Sequence, residues 1–255
     1  MQIGAVGDIH GEEFKEPFLA SLEETKNVDV FLIAGDLTDR SETEVFRSIV
    51  SLIEEKLTCP IICTFGNEEY DEDRTSMKDD RRTTFLDDES ADIDVAGTAV
   101  KIVGSTGCLD RPTWWQRTNI GGIFEKFNRR ISMIDEMLSG HLFTILLLHY
   151  PPTYETLKGE KERYWPEMGC RKLERVVLER TPNVVFHGHD HRGTHFIELR
   201  KKQLTLLDFE VRERTVPIYN VAFPLTRRVT VVDIDIPQGG PTGRQPPRIP
   251  QESFK

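Results

Sequence analysis

"VVFHGHDHRGTH" runs from Val184 to His195 and places four of the chain's seven histidines in nine residues, directly after an apolar run. Imidazoles at a strand exit add little to stability, because each one buried there needs its own polar partner. Their crowding points to a demand for nitrogen ligands. His189 and His191 stand two apart, and side chains at i and i+2 of an extended segment share a direction. The pair can therefore act as a pincer.

The same layout recurs along the chain. "QIGAVGD" (2–8), "VDVFLIAGD" (28–36) and "CPIICTFGN" (59–67) are apolar runs ending in Gly-Asp, Gly-Asp and Gly-Asn. "LFTILLLHYPP" (142–152) is another apolar run, and its strand ends at His149. Helical periodicity separates the first three. Phe14, Phe18, Leu19 and Leu22 space a helix over 12–27, and Phe46, Ile49, Val50 and Ile53 one over 41–57, opened by a Ser41/Glu44 capping-box spacing. Near-continuous apolar strands alternating with helices predict an α/β fold whose sheet is covered and at least partly parallel. Further helices are expected over 123–139 and 170–180, and a hairpin over 93–107 with Gly97 at its turn. The charged stretch 68–92 reads as a solvated excursion with a short helix, and 108–122 as an irregular loop carrying Trp114 and Trp115. Runs at 202–210, 215–223 and 227–236 are β-rich. The expected division is one domain over 1–236 and a flexible Pro/Gly-rich tail over 237–255.

Composition narrows the function. The 33 basic and 43 acidic residues leave a net charge of −10, which would repel a phosphate backbone, so bulk nucleic acid is not expected as a partner. The longest apolar run is far too short to cross a bilayer, so no membrane partner is expected either. No basic segment followed by a long apolar stretch opens the sequence, and Cys59, Cys63, Cys108 and Cys170 show no CxxC pairing, so reduced thiols and a cytoplasmic location are expected.

Asp8, His10, Asp36, Asn67, His149, His189 and His191 all follow the C-terminal ends of apolar strands, the edge at which open α/β sheets build sites. Seven donors are too many for one tetrahedral ion with an open position, and they suit two ions sharing a carboxylate. Oxygen and nitrogen donors without thiolate select divalent transition metals, Mn²⁺ foremost, with Fe, Co²⁺, Ni²⁺ and Zn²⁺ also compatible. Two dications carry +4 and two aspartates return −2, so the residual charge would attract a phosphate and acidify a water.

"GDIHG" (7–11), "GDLTDR" (35–40), "GNEE" (66–69), "LLHYPP" (147–152) and "GHDH" (188–191) resemble, in order and rough spacing, the five signature blocks of the calcineurin-like metallophosphoesterases. The resemblance implies a four-layer α-β-β-α sandwich of two mixed sheets with flanking helices, the later strands falling in the second sheet. It implies that Asp8, His10 and His191 hold one ion, that Asn67, His149 and His189 hold the other, and that Asp36 bridges them. A hydroxide between the ions would attack phosphorus in line. Arg40 would be a phosphate contact, its alternative being a salt bridge with Asp39.

One block departs from the family pattern. The third usually reads Gly-Asn-His-Glu or Gly-Asn-His-Asp, and Glu68 stands at the His position. A carboxylate beside two cations stays ionised and is a poor general acid. Glu68 could act through water or as an extra ligand, His187 or His195 could take over the role, or the site could suit diesters with good leaving groups. The function expected is a dinuclear metal-dependent phosphodiesterase acting on a small, nucleotide-like phosphate ester, with an oligomer compatible. The alternatives are a catalytically weak metal-binding scaffold and a phosphomonoesterase or nucleotidase. A ring of Trp114 or Trp115 could wall the substrate site, and adjacent positions allow at most one of them to do so. His141 reads as an exposed turn residue.

Overall fold

The computed structural model describes residues 1–95, 97–140, 143–204 and 211–236, with backbone alone for 201–204 and 211–213. His141, the tail 237–255 and the latter part of the 202–210 run lie outside the described residues. The elements in order are β1 (Gln2–Val6), α1 (Lys15–Glu24), β2 (Val30–Ala34), α2 (Thr43–Lys56), β3 (Ile61–Thr64), α3 (Arg74–Lys78), β4 (Thr83–Phe85), β5 (Glu89–Val95) and β6 (Thr98–Ser105). There follow α4 (Trp114–Asn119), α5 (Ile123–Met137), β7 (Thr144–Leu148), α6 (Arg171–Arg180), β8 (Val184–His187), β9 (Phe196–Leu204), β10 (Val211–Asn220), α7 (Phe223–Thr226) and β11 (Thr230–Asp233).

Two mixed sheets form. One has the order β11-β1-β2-β3-β4 and the other β5-β6-β7-β8-β10-β9. Their inner strands are parallel, and β11, β5 and β9 add antiparallel edges. The period of two along each strand explains the layering. On β2, Phe31 and Ile33 pack with Phe18 and Leu22 of α1 and Phe46, Ile49 and Ile53 of α2, while Val30 and Leu32 face the second sheet. On that sheet, Ile145 and Leu147 of β7 face inward, and Leu146 and Leu148 pack under Phe127 and Ile134 of α5 and Leu173 and Val177 of α6. Strands buried on both faces have no polar face to alternate, hence the continuous apolar runs. The expected four-layer α-β-β-α architecture is present.

Several local expectations are corrected. The last strand does not join the second sheet: β11 pairs antiparallel with β1 in the first. Residues 108–122 are not all loop. Thr113 accepts from the Gln116 N–H (3.2 Å), and Gln116 Oε1 accepts from the Thr113 N–H (3.0 Å), a capping box that starts α4 at the two tryptophans. The charged stretch 68–92 holds the expected short helix, α3, but also β4, which extends the first sheet, and the start of β5. Its polarity reflects exposed edges rather than absence of strand. Ser41 does not cap α2, whose N-cap is Glu42. Ser41 instead adopts φ 58° and spends its hydroxyl on the loop after β3, donating to the Glu68 carbonyl and accepting from the Tyr70 N–H. The helix expected over 12–27 begins as a 3₁₀ turn at Gly11–Glu13 and is α-helical only over α1. The hairpin with Gly97 at its turn is as expected, β5 pairing with β6.

All four cysteines are free thiols, and all but the half-buried Cys59 are buried. Burial pushes the Cys63 thiol well up, and the Cys170 thiol up to about 12. Since the thiolate is the reactive form, a disulfide reagent at pH 8 will titrate Cys59 alone in the native protein and all four thiols after denaturation. Rapid reaction of a second native thiol would contradict this packing.

Candidate metal centre

The parallel strands of both sheets deliver their C-terminal ends to one place. Asp8 and His10 follow β1, Asp36 follows β2, Asn67 follows β3, His149 follows β7, and His189 and His191 follow β8. Asp8, His10, Asp36 and His189 adopt positive φ (57°, 50°, 48° and 68°). Non-glycine residues seldom take this left-handed conformation, and its clustering marks a constrained site. Here it turns each exit loop back so that its side chain points across the strand ends. The preceding glycines follow from the same crowding. A Cβ on Gly35, itself at φ 80°, would lie 2.5 Å from the Gly66 nitrogen, and one on Gly66 would lie 2.0 Å from Asp36 Oδ1.

The donors fall into two sets. Ligand atoms of Asp8, His10 and His191 lie within 4.8 Å of one another, and so do those of Asp36, His149 and His189. Asn67 belongs with the second set, its Oδ1 3.0 Å from His149 Nε2. Asp8 is fully buried and joins the sheets: it accepts the His189 N–H at both oxygens (2.8 and 3.0 Å) and lies 3.1 Å from His191 Nε2. His149 crosses in the other direction, its Nδ1 donating to the Ala34 carbonyl at 2.9 Å.

That last bond decides what the second set can hold. With the proton on Nδ1, His149 Nε2 carries a bare lone pair. It faces Asn67 Oδ1 at 3.0 Å and Asp36 Oδ2 at 3.5 Å, both acceptors. Three such atoms converging at the strand ends suit a cation. The Asn67 amide is held in this sense because its Nδ2 donates to Glu68 Oε1 at 3.2 Å. In the first set, His10 Nε2 is buried without a partner, 4.0 Å from Asp8 Oδ1. The residues present therefore fit a pair of metal ions.

Electrostatics agree. Burial, followed by the charges of Glu69 and Asp8, holds the Asp36 carboxyl well above the usual range. A cation would reverse this. Burial also holds His149 and His189 below the usual imidazole range, in the neutral form that ligates. Burial likewise raises the Asp8 carboxyl, but the His191 hydrogen bond and the charges of His149 and His191 outweigh it and leave the group lowered. For His191 burial opposes protonation, and the bond to Asp8 more than offsets it, leaving the imidazole raised.

Glu68 lines the mouth of the site, its backbone N–H donating to Asp36 Oδ1 at 2.8 Å. Arg40 is exposed at φ 50° on the loop after β2, and its charge is felt by the phenol of Tyr70, which lines the cleft. His187 is fully buried and turned to its own strand end, Nδ1 donating to the Gly188 carbonyl at 2.8 Å, and burial lowers its pKa to about 4. His195 Nδ1 donates to the Asn220 carbonyl (2.8 Å). Of the two tryptophans, Trp115 alone is among the lining residues of the cleft.

Two buried carboxylates were missed by sequence reasoning. Asp190 Oδ1 accepts the N–H groups of Arg192 (3.3 Å) and Gly193 (2.9 Å), which folds the histidine loop, and burial raises its pKa to about 6. Glu69 is the more consequential. Its carboxylate accepts four backbone N–H groups, from Asp36 (2.9 Å), Leu37 (2.8 Å), Thr38 (3.2 Å) and Gly66 (2.7 Å). It locks the β2 exit to the β3 exit and so places Asp36. The signal was the second Glu of "GNEE", masked by attention to the first. Glu69→Ala would leave four buried donors unpaired and is expected to cost about 2–5 kcal/mol, read by urea unfolding of the metal-free protein. A cost below about 1 kcal/mol would show that the clamp does not hold the site.

The family model described as calcineurin-like phosphoesterase matches residues 1–193. No curated protein matches the sequence. Among solved structures, a phosphopantetheinyl hydrolase from Mycobacterium tuberculosis is similar at TM-score 0.60 and 15% identity, over 94% of this chain and 98% of that one. The protein TT1561 of Thermus thermophilus is similar at TM-score 0.51 and 14% identity, over 91% and 98%. A purple acid phosphatase from yellow lupin, PPD1, is similar at 0.50 and 14%, over 93% of this chain and 46% of that one. At such identities the likenesses concern the fold. The match over 1–193 and the five strand-end blocks it contains place this chain in the calcineurin-like phosphoesterase family.

Proposed function

We propose that this protein is a dinuclear metal-dependent phosphodiesterase, with Mn²⁺ the preferred ion and Fe, Co²⁺, Ni²⁺ or Zn²⁺ able to replace it. The observation that carries the reading is the meeting of His149 Nε2, Asn67 Oδ1 and Asp36 Oδ2 at one strand-end point, with the buried, unpartnered Nε2 of His10 in the neighbouring set. Asp8, His10 and His191 would hold one ion, Asn67, His149 and His189 the other, and Asp36 would be shared. When bound, the ions supply positive charge to the phosphoryl oxygens and make water a stronger acid near neutral pH.

The chain's own groups set the geometry and the preference. Glu69 fixes the backbone on which Asp36 sits, and the Ala34 carbonyl fixes the His149 tautomer. Glu68 turns the Asn67 amide so that its oxygen faces His149, which makes Glu68 a positioning residue rather than a general acid. Without a proton donor at position 68, esters with good leaving groups are favoured. Glu68, Asp71 and Glu72 also put negative charge at the site's mouth. That charge repels a dianionic monoester more than a monoanionic diester. Glu68 is the one residue that favours the second reading, a metal-binding scaffold of low turnover. The four free thiols suit a reducing compartment such as the cytoplasm.

The protein loaded with Mn²⁺ is expected to cleave bis-p-nitrophenyl phosphate with kcat/KM about tenfold or more above that for p-nitrophenyl phosphate. Asp36→Asn and His149→Ala are each expected to lower it by about 10³-fold, a loss of roughly 4 kcal/mol in the barrier. Cleavage of neither ester, with ions shown bound by elemental analysis, would leave the scaffold reading.

Metal affinity is also expected to depend on pH. Asp36 and His191 both have raised pKa values, so protons occupy them at higher pH than usual and must be displaced by an ion. Affinity should therefore fall as pH drops from about 8 to about 6, by up to about tenfold per pH unit for each proton released. Calorimetric titration with Mn²⁺ in two buffers of different ionisation enthalpy counts those protons, and a pH-independent Kd would contradict the assignment.

A further inference from the structure

A cleft of about 810 Å³ opens from Asn67 and His189, and its two walls differ in kind. One is apolar, built from Leu109, Trp115, Ile120, Ile123, Phe127 and Tyr150. Four of these residues, Leu109, Ile123, Phe127 and Tyr150, are at most 5% exposed and belong to the core beneath α5 and α6, so this floor is rigid. Gln116 Nε2 donates to the Tyr150 hydroxyl at 3.2 Å, and Gln116 is itself fixed by the capping box of α4. Trp115 stands over this floor with 57% of its surface exposed.

Glu68, Asp71 and Glu72 make the lining beside Asn67 acidic, and Glu167 lines the cleft as well, bound to Arg111 at 3.0 Å. Three cations also line the cleft, and each already has partners. Arg130 binds Asp88 (2.7 Å) and the Gly107 carbonyl (2.8 Å). Arg74 binds the carbonyls of Glu69 (3.1 Å) and Gly66 (3.4 Å) and lies 3.3 Å from Asp71. Lys126 lies 3.7 Å from Asp71. Among the described lining residues, each cation thus already faces a carboxylate, Lys126 the most loosely.

We infer that this cleft receives the organic group of the ester, and that it selects an uncharged aromatic or alkyl group over one bearing further negative charge, with Trp115 as the specificity residue. The inference rests on the proposed metal centre and names the substrate class that the centre serves. An aromatic group entering from Asn67 and His189 would leave water for the Trp115 face and the Leu109–Phe127 floor, gaining burial and ring contact. A second anionic group would meet Glu68 and Glu72, which form no ion pair among the described residues, and cations that already face carboxylates. Trp114, next in sequence and 70% exposed, is outside the cleft lining and provides an internal control.

The test is calorimetric binding of three non-hydrolysable probes to the metal-loaded protein: methylphosphonate, benzylphosphonate and (4-carboxybenzyl)phosphonate. Benzylphosphonate should bind about tenfold tighter than methylphosphonate, and the added carboxylate should cancel most of that gain. Trp115→Ala should abolish the benzyl advantage, Trp115→Phe should keep part of it, and Trp114→Ala should leave it intact. Equal binding of the benzyl and methyl probes by the parent protein would overturn the inference. So would tighter binding of the carboxylated probe, or equal losses in Trp114→Ala and Trp115→Ala. The methyl probe separates the two levels. If it binds only the metal-loaded form while the benzyl probe gains nothing, the centre stands and the cleft assignment falls. If the protein takes up no Mn²⁺ by elemental analysis, the metal centre itself is refuted.

Discussion

Three carboxylates, Asp8, Asp36 and Glu69, are buried side by side at 0%, 2% and 3% exposure where the strands end. Ionised groups of like sign cannot be taken from water together unless donors or cations meet them. Much of the local structure is the answer to that constraint. Glu69 is met by four amides, and Asp8 by the His189 amide and the His191 ring. Asp36 is met least, by the Glu68 N–H and a neutral imidazole at 3.5 Å. The deficit of positive charge is concentrated on Asp36, between the two donor sets.

The same groups connect the sheets. Along most of their length the sheets meet through aliphatic side chains, a non-directional contact that tolerates sliding. At the strand ends the contact becomes directional: His149 to the Ala34 carbonyl, and Asp8 to the His189 amide. Directional bonds fix the relative position of β2 and β7, and of β1 and β8. The apolar interior supplies cohesion and the polar end supplies register, so geometry at the site and alignment of the layers are one property of the chain.

The fold was largely legible because strands buried on both faces write themselves as unbroken apolar runs, and because four of them lead into a glycine followed by a donor, while β7 passes straight from Leu148 to His149. Those pairs, Gly7-Asp8, Gly35-Asp36, Gly66-Asn67 and Gly188-His189, gave four of the seven donors without a structure. What the sequence hid depends on tertiary partners. Glu69 looks like one more surface acid until four amides turn toward it. Ser41 looks like a cap because its competing partner, the loop at 68–70, lies far along the chain. The helix at Trp114 was obscured by two large rings that are unusual on an exposed face, although Thr113 and Gln116 stood at the right spacing. The place of the last strand could not be read at all, since edge pairing is set by which strand end remains open.

That last strand has a consequence for how the molecule is made. The amino terminus bonds to the Ile234 carbonyl 233 positions away, and β11 covers the outer edge of β1. β1 gains its second neighbour only once β11, far along the chain, is in place. Until then its amides present a bare template for any extended chain. Contacts of such sequence separation are slow to form. The first sheet thus keeps an adhesive margin until β11 docks, and chaperone dependence would be concentrated in that interval.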